Sequence, residues 1–121
     1  MARIRYTPKK QSHAPSVPFC DAQEAWFWFI RSQRARLEGA KMRSDEADVV
    51  RPCDPDDVYR AVMELVRGRI LGRYHLKVLA SFGIAECAPD SRIREHERAA
   101  RLWDEALDRL TTILRKKGIV Q

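Results

Sequence analysis

The sequence lacks a long apolar run, and this absence limits where the protein can work. Among its 121 residues, no hydrophobic stretch approaches the roughly 18 to 20 residues that a membrane-spanning helix requires. The opening stretch MARIRYTPKKQSHAPSVP also lacks the apolar segment of a secretory signal. We therefore predict a cytoplasmic protein with no membrane partner.

Cysteine is scarce as well. The chain has three, Cys20, Cys53 and Cys87, and neither a CxxC nor an HxxxH spacing occurs. An odd and widely spaced set argues against a disulfide framework and does not indicate a metal site. The sequence also offers no glycine-rich phosphate loop and no set of nucleophile, base and orienting residue. We predict no metal, no cofactor and no enzymatic activity.

Signals for β-structure are missing too, since strand and helix patterns do not alternate and no hairpin signal occurs. With 45% hydrophobic and 33% charged residues, the composition is that of a globular chain of one-domain size. Residues 1–18 hold three prolines among polar residues and are predicted to form a flexible basic arm. Residues 19–121 are predicted to form a single all-α domain.

What the sequence does contain is an excess of positive charge, with a formal net charge of +6. Residues 1–20 contribute +4, because they have four basic residues and no acid. Residues 90–121 contribute +2, from eight basic residues and six acids. This imbalance favours a polyanionic partner such as nucleic acid, although many basic proteins have no such partner.

Two stretches have the residues that begin helices. In both CDAQEAW and CDPDDVY an aspartate, Asp21 or Asp54, is followed three residues later by a second acid. An aspartate cap accepts a hydrogen bond from a free backbone amide, and Pro55 suits the first helical position because no hydrogen bond is lost there. Together with apolar residues spaced by three and four, these signals predict four helices, over residues 21–39, 55–67, 71 or 72–82, and 91–117.

The fourth predicted helix is the longest, and its amphipathic pattern is the clearest in the chain. Gly83 and Gly118 suit the ends of the third and fourth helices, because glycine readily adopts the left-handed conformation at that position. Residues 40–52 show no periodic pattern and are predicted to form a loop. The fold prediction is a small all-α, four-helix domain with a long amphipathic C-terminal helix.

The first predicted helix carries five apolar residues in a row, WFWFI at 26–30, which no single neighbouring surface can cover. On the helical period, Trp26, Phe29 and Ile30 share one stripe. We predict that this stripe packs on the fourth helix near Trp103.

Phe27 and Trp28 lie off that stripe, and three arrangements are open for them. They are covered by the second and third helices, they meet another chain, or they stack on bases. Aromatic residues are enriched in buried interface cores, whereas base stacking is more typical of sheet platforms. The second arrangement assigns the docking surface to Trp26, Phe27 and Trp28.

Basic residues cluster where the second helix gives way to the third. In MELVRGRILGRYHLKVLASFG, two short helices joined by a glycine-bearing turn predict a hairpin like a helix-turn-helix. Arg69, Arg73 and Lys77 recur every four residues and share one face if the third helix begins early. Such a face can contact phosphates, and an arginine fork can read guanine. The alternative is an ordinary antiparallel hairpin with a solvated basic face. The predicted nucleic-acid contacts are Arg67, Arg69, Arg73 and Lys77, with Arg92, Arg94 and Arg98 second.

The stretch DDVYRAVMELVRGRILGRYHLKVLASFG, residues 56–83, resembles the opening half of the DNA-binding C-terminal region of bacterial sigma factors. In that family a helix precedes a run of the type L…R…VL…FG, and the resemblance implies a helix-turn-helix that binds DNA. The pattern departs after Gly83. There IAECAPDSRIREHERAA brings a proline-bearing loop, where the family has a short helix and a glycine turn before its recognition helix.

We therefore predict nucleic-acid binding, with DNA expected ahead of RNA, in a small transcription regulator of bacterial type. The predicted mechanism is phosphate neutralisation together with insertion of one helix into the major groove. The alternative is a non-enzymatic protein-interaction module, in which the aromatic first helix docks a partner or a second copy in a homodimer.

Overall fold

The computed structural model describes residues 16–39 and 49–121, which form four α-helices and one short 3₁₀ turn. The helices are α1 (Ala22–Leu37), α2 (Pro55–Arg67), α3 (Arg73–Ile84) and α4 (Glu97–Lys116), and the 3₁₀ turn Arg94–His96 precedes α4. The predicted all-α, four-helix domain is confirmed. Residues 1–15 of the predicted arm and residues 40–48 of the predicted loop lie outside the described residues. In the described part of the chain, no helix has both the length and the apolar character needed to cross a membrane.

The first helix begins as its cap residues predict. The Asp21 carboxylate accepts a hydrogen bond from the backbone N–H of Glu24 at 2.8 Å. The Glu24 carboxylate in turn accepts one from the N–H of Cys20, also at 2.8 Å. Each acid therefore satisfies an amide that has no partner inside the helix, which fixes where α1 starts.

The second helix begins at its predicted cap, with Pro55 in its first turn, and here the second acid is the side-chain acceptor. The carboxylate of Asp57 accepts a hydrogen bond from the backbone N–H of Asp54 at 2.9 Å. Both predicted helix starts are thus confirmed, because capping depends on residues within one turn of each other.

The fourth helix starts later than predicted, at Glu97 rather than near Ser91. Asp90 is the cause. Its carboxylate accepts hydrogen bonds from the backbone N–H of Arg92 at 2.9 Å and from the Arg92 guanidinium at 3.1 Å. Its own N–H donates to Nδ1 of His96 at 3.2 Å. These side-chain bonds hold the segment in a turn and compete with helix formation.

The helices are arranged around a central pair. α1 and α4 pack on each other, and α2 and α3 each pack on both of them but not on one another. This differs from the predicted hairpin, whether of helix-turn-helix or ordinary antiparallel type, in which the two helices are in contact. The connection explains the difference. Leu71 is 2% exposed, so the turn enters the core, and Arg69 adopts a left-handed φ of 60°. The chain is thereby carried from one side of the α1–α4 pair to the other.

Trp26 of α1 joins that helix to α3. Its indole N–H donates to the backbone oxygen of Leu79 at 2.9 Å, inside the core. Gly83 makes this approach possible, because a Cβ at that position would lie 2.7 Å from the indole nitrogen and 3.1 Å from Cγ1 of Ile30. We expected the Trp26 stripe to face the fourth helix, but its hydrogen bond is to α3.

The other rings of the row are covered by the chain itself. Phe27 packs on Trp103 of α4 with ring centroids 5.8 Å apart, and Trp28 packs on Phe19 with centroids 5.0 Å apart. Both rings are half-buried. Their ring partners lie in α4 and in the segment before α1, whereas the first of the three arrangements assigned their cover to the second and third helices. Five consecutive apolar residues are accommodated because α1 has neighbours on several sides.

The end of the chain closes the core, which the sequence reading missed. Gly118 has a φ of 77° and ends α4, and the N–H of Ile119 returns to the oxygen of Leu114 at 2.9 Å. Ile119 and Val120 are then 2% and 5% exposed. The backbone of Phe19 pairs with this segment, donating its N–H to the oxygen of Ile119 at 2.9 Å. An apolar residue after a helix-ending glycine commonly packs back on its helix, and this is the signal that was available.

Candidate nucleic-acid interface

Cationic side chains from two helices meet at one tyrosine. The guanidinium carbon of Arg73 in α3 lies 5.1 Å from the centroid of the Tyr74 ring. The guanidinium carbon of Arg98, in α4, lies 5.2 Å from the same centroid. Tyr74 is 47% exposed, so its ring remains open to a ligand. The two predicted basic stretches, separate in sequence, therefore meet at this ring.

Beside this ring, α3 and α4 enclose an open groove of about 330 Å³, which we call the α3–α4 groove. Four half-buried apolar residues form its floor, namely Val78, Phe82, Ala99 and Leu102. Exposed polar or charged residues stand around it, namely Tyr74, Lys77, Ser81, Glu95 and Arg98. The groove thus combines an apolar floor with a rim of two cations, one carboxylate and two neutral polar side chains.

Arg92 differs from the other predicted contacts, because it already has an anionic partner. Its guanidinium forms a two-point contact with the Asp90 carboxylate, at 3.1 Å for each nitrogen–oxygen pair. This hydrogen bonding lowers the pKa of Asp90 and raises the pKa of Arg92. A phosphate would have to compete with the carboxylate, so Arg92 is the weakest of the predicted contacts.

The remaining six predicted contacts have no such anionic partner among the described residues. In the part of the chain that the structure describes, none of them lies within salt-bridge distance of a carboxylate, namely Arg67, Arg69, Arg73, Lys77, Arg94 and Arg98. Some arginines elsewhere are paired, for example Arg36 with Asp56 at 3.4 Å and Arg60 with Asp57 at 2.9 Å. An incoming anion therefore breaks no existing ion pair at the six.

The six do not form one stripe. α3 begins at Arg73, so the predicted shared face of Arg69, Arg73 and Lys77 is wrong for Arg69, which lies in the turn. Arg67 is the last residue of α2, and Arg94 is exposed in the 3₁₀ turn. The structure brings together Arg73, Lys77 and Arg98, and it does not join the others to the groove.

A histidine holds the start of α3 against α4. The backbone N–H of Gly72 donates to Nδ1 of His75 at 3.1 Å, so the ring proton belongs on Nε2. Nε2 lies 2.9 Å from a carboxylate oxygen of Glu105, and this bond lowers the pKa of Glu105. Arg109 adds a bond from its guanidinium to the oxygen of Ile70 at 3.1 Å. His75 is therefore a structural histidine with partners at both ring nitrogens, and it positions the residues that follow Gly72.

The second histidine near the groove is also structural. His96 packs edge-on against Phe82, with ring centroids 5.3 Å apart, and its Nδ1 accepts from the backbone of Asp90. It is half-buried and supports the groove floor. Sequence reasoning also missed Tyr74 and Ser81. The signal was present, because Tyr74, Lys77 and Ser81 follow a helical spacing on the exposed side of α3.

The described residues contain no group of three His, Cys, Asp or Glu side chains placed to hold a metal ion. All three cysteines are free thiols, and Cys20 and Cys87 are exposed. Cys53 is half-buried, and its pKa rises to about 11 through burial, with further contributions from the carboxylates of Asp57 and Asp54. A thiol of this kind is a poor nucleophile at neutral pH.

We expect iodoacetamide at about pH 8 to modify Cys53 at least about tenfold more slowly than Cys20 or Cys87, because only the thiolate reacts. Peptide mass spectrometry after timed quenching measures the three rates. In denaturant the difference should vanish, since burial and the fixed carboxylates are then lost. Equal rates in the folded protein would contradict the raised pKa.

Comparisons with protein-family models, with curated proteins and with solved structures found no match for this chain, so the α3–α4 groove must be interpreted from its own chemistry.

Proposed function

We propose that the protein binds nucleic acid through the face formed by α3 and the start of α4. One observation carries the proposal. Guanidinium groups of Arg73 and Arg98, from two different helices, converge on the half-exposed ring of Tyr74, with no carboxylate partner for either among the described residues. Lys77 lies on the same groove one turn further along α3.

The chemistry of this cluster suits a nucleic acid. Arginine and lysine neutralise phosphates and release counterions, and aromatic or guanidinium planes stack on bases. Arg73, Lys77 and Arg98 have no carboxylate partner among the described residues, whereas Arg36 and Arg60 already have one. The net charge of +6 attracts a polyanion before contact is made.

We extend the proposal to a regulatory role in the cytoplasm, with DNA as the ligand. The three free thiols support a reducing compartment. The binding surface is shared by two packed helices, so we propose that it lies along the phosphate backbone. Insertion of one isolated helix into the major groove is not part of the proposal, because the α2–α3 pair lacks helix-turn-helix packing.

The test is a double charge reversal, Lys77→Glu with Arg98→Glu, measured by fluorescence anisotropy with labelled DNA. We expect affinity to fall at least about tenfold at 0.1 M salt, and the slope of log K against log salt to decrease by about 2. Both residues are exposed and unpaired, so helicity by circular dichroism should not change.

The matched control reverses two arginines that already have acidic partners, Arg36→Glu with Arg60→Glu. This variant has the same net charge as the first, so it separates a local site from overall electrostatics. We expect it to lose much less affinity. Equal losses in the two variants, or no DNA binding by the unmodified protein even at low salt, would contradict the proposal.

A second candidate function, docking a protein partner or a second copy, is favoured by an apolar groove of about 350 Å³ between α2 and α4. Leu65, Ile70 and Ile113 line it, and Ile70 is 48% exposed. This is not the predicted docking surface, because Trp26 is buried and Phe27 and Trp28 rest on the chain's own rings. Light scattering at high concentration would show a mass above 14.1 kDa if copies associate.

A further inference from the structure

We infer that the α3–α4 groove receives one unstacked base of a single-stranded nucleic acid. The inference rests on the proposed function and names its substrate class. A surface that only neutralises phosphates needs cations and no apolar floor. Here the cations stand beside a groove whose floor is apolar and half-buried.

We expect the bases of duplex DNA to make no contact with the apolar floor of the groove. In a duplex the bases are stacked inside and the phosphates lie outside, so a groove on a protein surface meets charge and sugar. A single strand can turn a base out and place its π-face on apolar or aromatic side chains. Phe82 offers such a surface. Its ring packs against His96 and against Trp103, whose ring centroid lies 6.3 Å from that of Phe82.

The rim divides into two chemical parts. Lys77 and Arg98 stand at the end near Tyr74 and suit the phosphate of the bound nucleotide. Ser81 and Glu95 also line the groove and supply oxygen acceptors. Glu95 would weaken a surface meant for phosphate alone. A carboxylate in this place instead suits the exocyclic amino group of a base, as in the pairing of glutamate with cytosine.

The site is preorganised. The His75–Glu105 bond holds the first turn of α3 against α4, and the Trp26 bond to Leu79 fixes the middle of α3 on α1. A volume of about 330 Å³ is near the lower end of the size of small-molecule sites, which suits a single base and sugar. Thymine lacks an exocyclic amino group, so Glu95 predicts that cytosine is preferred to thymine.

The experiment compares three labelled ligands at equal salt: deoxycytidine strands of about 12 nucleotides, deoxythymidine strands of that length, and a mixed-sequence duplex. We expect the deoxycytidine strand to bind at least about tenfold more tightly than the duplex, because stacking of one base is worth about 1–3 kcal/mol. It should also bind more tightly than the deoxythymidine strand.

Two variants test the parts of the groove. Glu95→Ala should abolish the preference for cytosine and raise the affinity for the deoxythymidine strand, because a negative charge near phosphate is removed. Leu102→Gln should lower the affinity for single strands and leave duplex binding unchanged. Leu37→Gln, at a residue that is 88% exposed, is the matched control for added polarity. It should change neither single-strand binding nor duplex binding.

The outcomes separate this inference from the proposed function. Duplex binding as tight as single-strand binding, with the Lys77→Glu and Arg98→Glu pair still disrupting it, overturns the inference and leaves the proposed function standing. Inorganic polyphosphate that competes as well as the deoxycytidine strand overturns it too, because the bases would then contribute nothing. Failure to bind any nucleic acid at low salt overturns both.

Discussion

Replacing Ile119 and Val120 together with alanine lowers the free energy of unfolding by about 3–6 kcal/mol. Both side chains are buried, and the backbone beside them pairs with Phe19 at the other end of the described chain. Removing them leaves a cavity in the core and weakens the contact that closes it. A domain of this size is commonly stable by only about 5–15 kcal/mol, so the change removes a large share of the total.

Urea unfolding followed by circular dichroism measures this effect, with Gln121→Ala as the control next to the two sites. The Gln121 residue is exposed, so its variant should stay within about 0.5 kcal/mol of the unmodified protein. If the double variant also stays within about 1 kcal/mol, the segment after Gly118 does not close the core as described.

Replacing Trp103 with alanine lowers the free energy of unfolding by about 3–5 kcal/mol. The ring is 2% exposed and meets Phe27 of α1 and Phe82 of α3, so it joins three helices. Its indole N–H also donates to the side-chain oxygen of Gln23 at 3.2 Å, and this acceptor loses its partner in the variant. A cavity between three helices cannot collapse by a small shift of one of them.

The conservative variant Trp103→Phe tests whether ring packing is the cause. It keeps an aromatic surface against Phe27 and Phe82, so we expect a clearly smaller loss than for alanine. Leu37→Ala, on the exposed last residue of α1, should change stability by less than about 0.5 kcal/mol. If Trp103→Ala lowers the free energy of unfolding as little as Leu37→Ala does, Trp103 does not lie at the centre of the core.

The features predicted from sequence are those that depend on neighbours within one or two turns. The starts of α1 and α2 follow from Asp21 and Asp54, whose partners lie three residues away. The start of α4 was predicted too early. The Asp90 carboxylate and the His96 ring accept hydrogen bonds from backbone N–H groups there, and the spacing of apolar residues gives no sign of such bonds. Pairing of Phe19 with the chain end depends on residues far apart in sequence, so no local pattern reveals it.

The candidate site, too, was only partly predictable from the sequence. Clusters of arginine and lysine were visible in the sequence, and three of them, Arg73, Lys77 and Arg98, do line one surface. Two others do not reach that surface: Arg69 was grouped with them by its four-residue spacing, and Arg67 by its place at the turn. The turn through Leu71 takes Arg69 off the face of α3, because that helix begins only at Arg73. The groove floor could not be foreseen, since it exists only where α3 and α4 pack.

The approach of Trp26 to Gly83 has a consequence for how the protein can move. Sliding α3 by one helical turn along α1 in one direction would set Leu79 under the indole, and its side chain would collide with the ring where glycine does not. The two helices therefore have a single allowed register, and this fixes the α3 side of the groove. A ligand must enter a gap that already exists, so we expect its capture to be limited by diffusion and steering rather than by a prior rearrangement of the backbone.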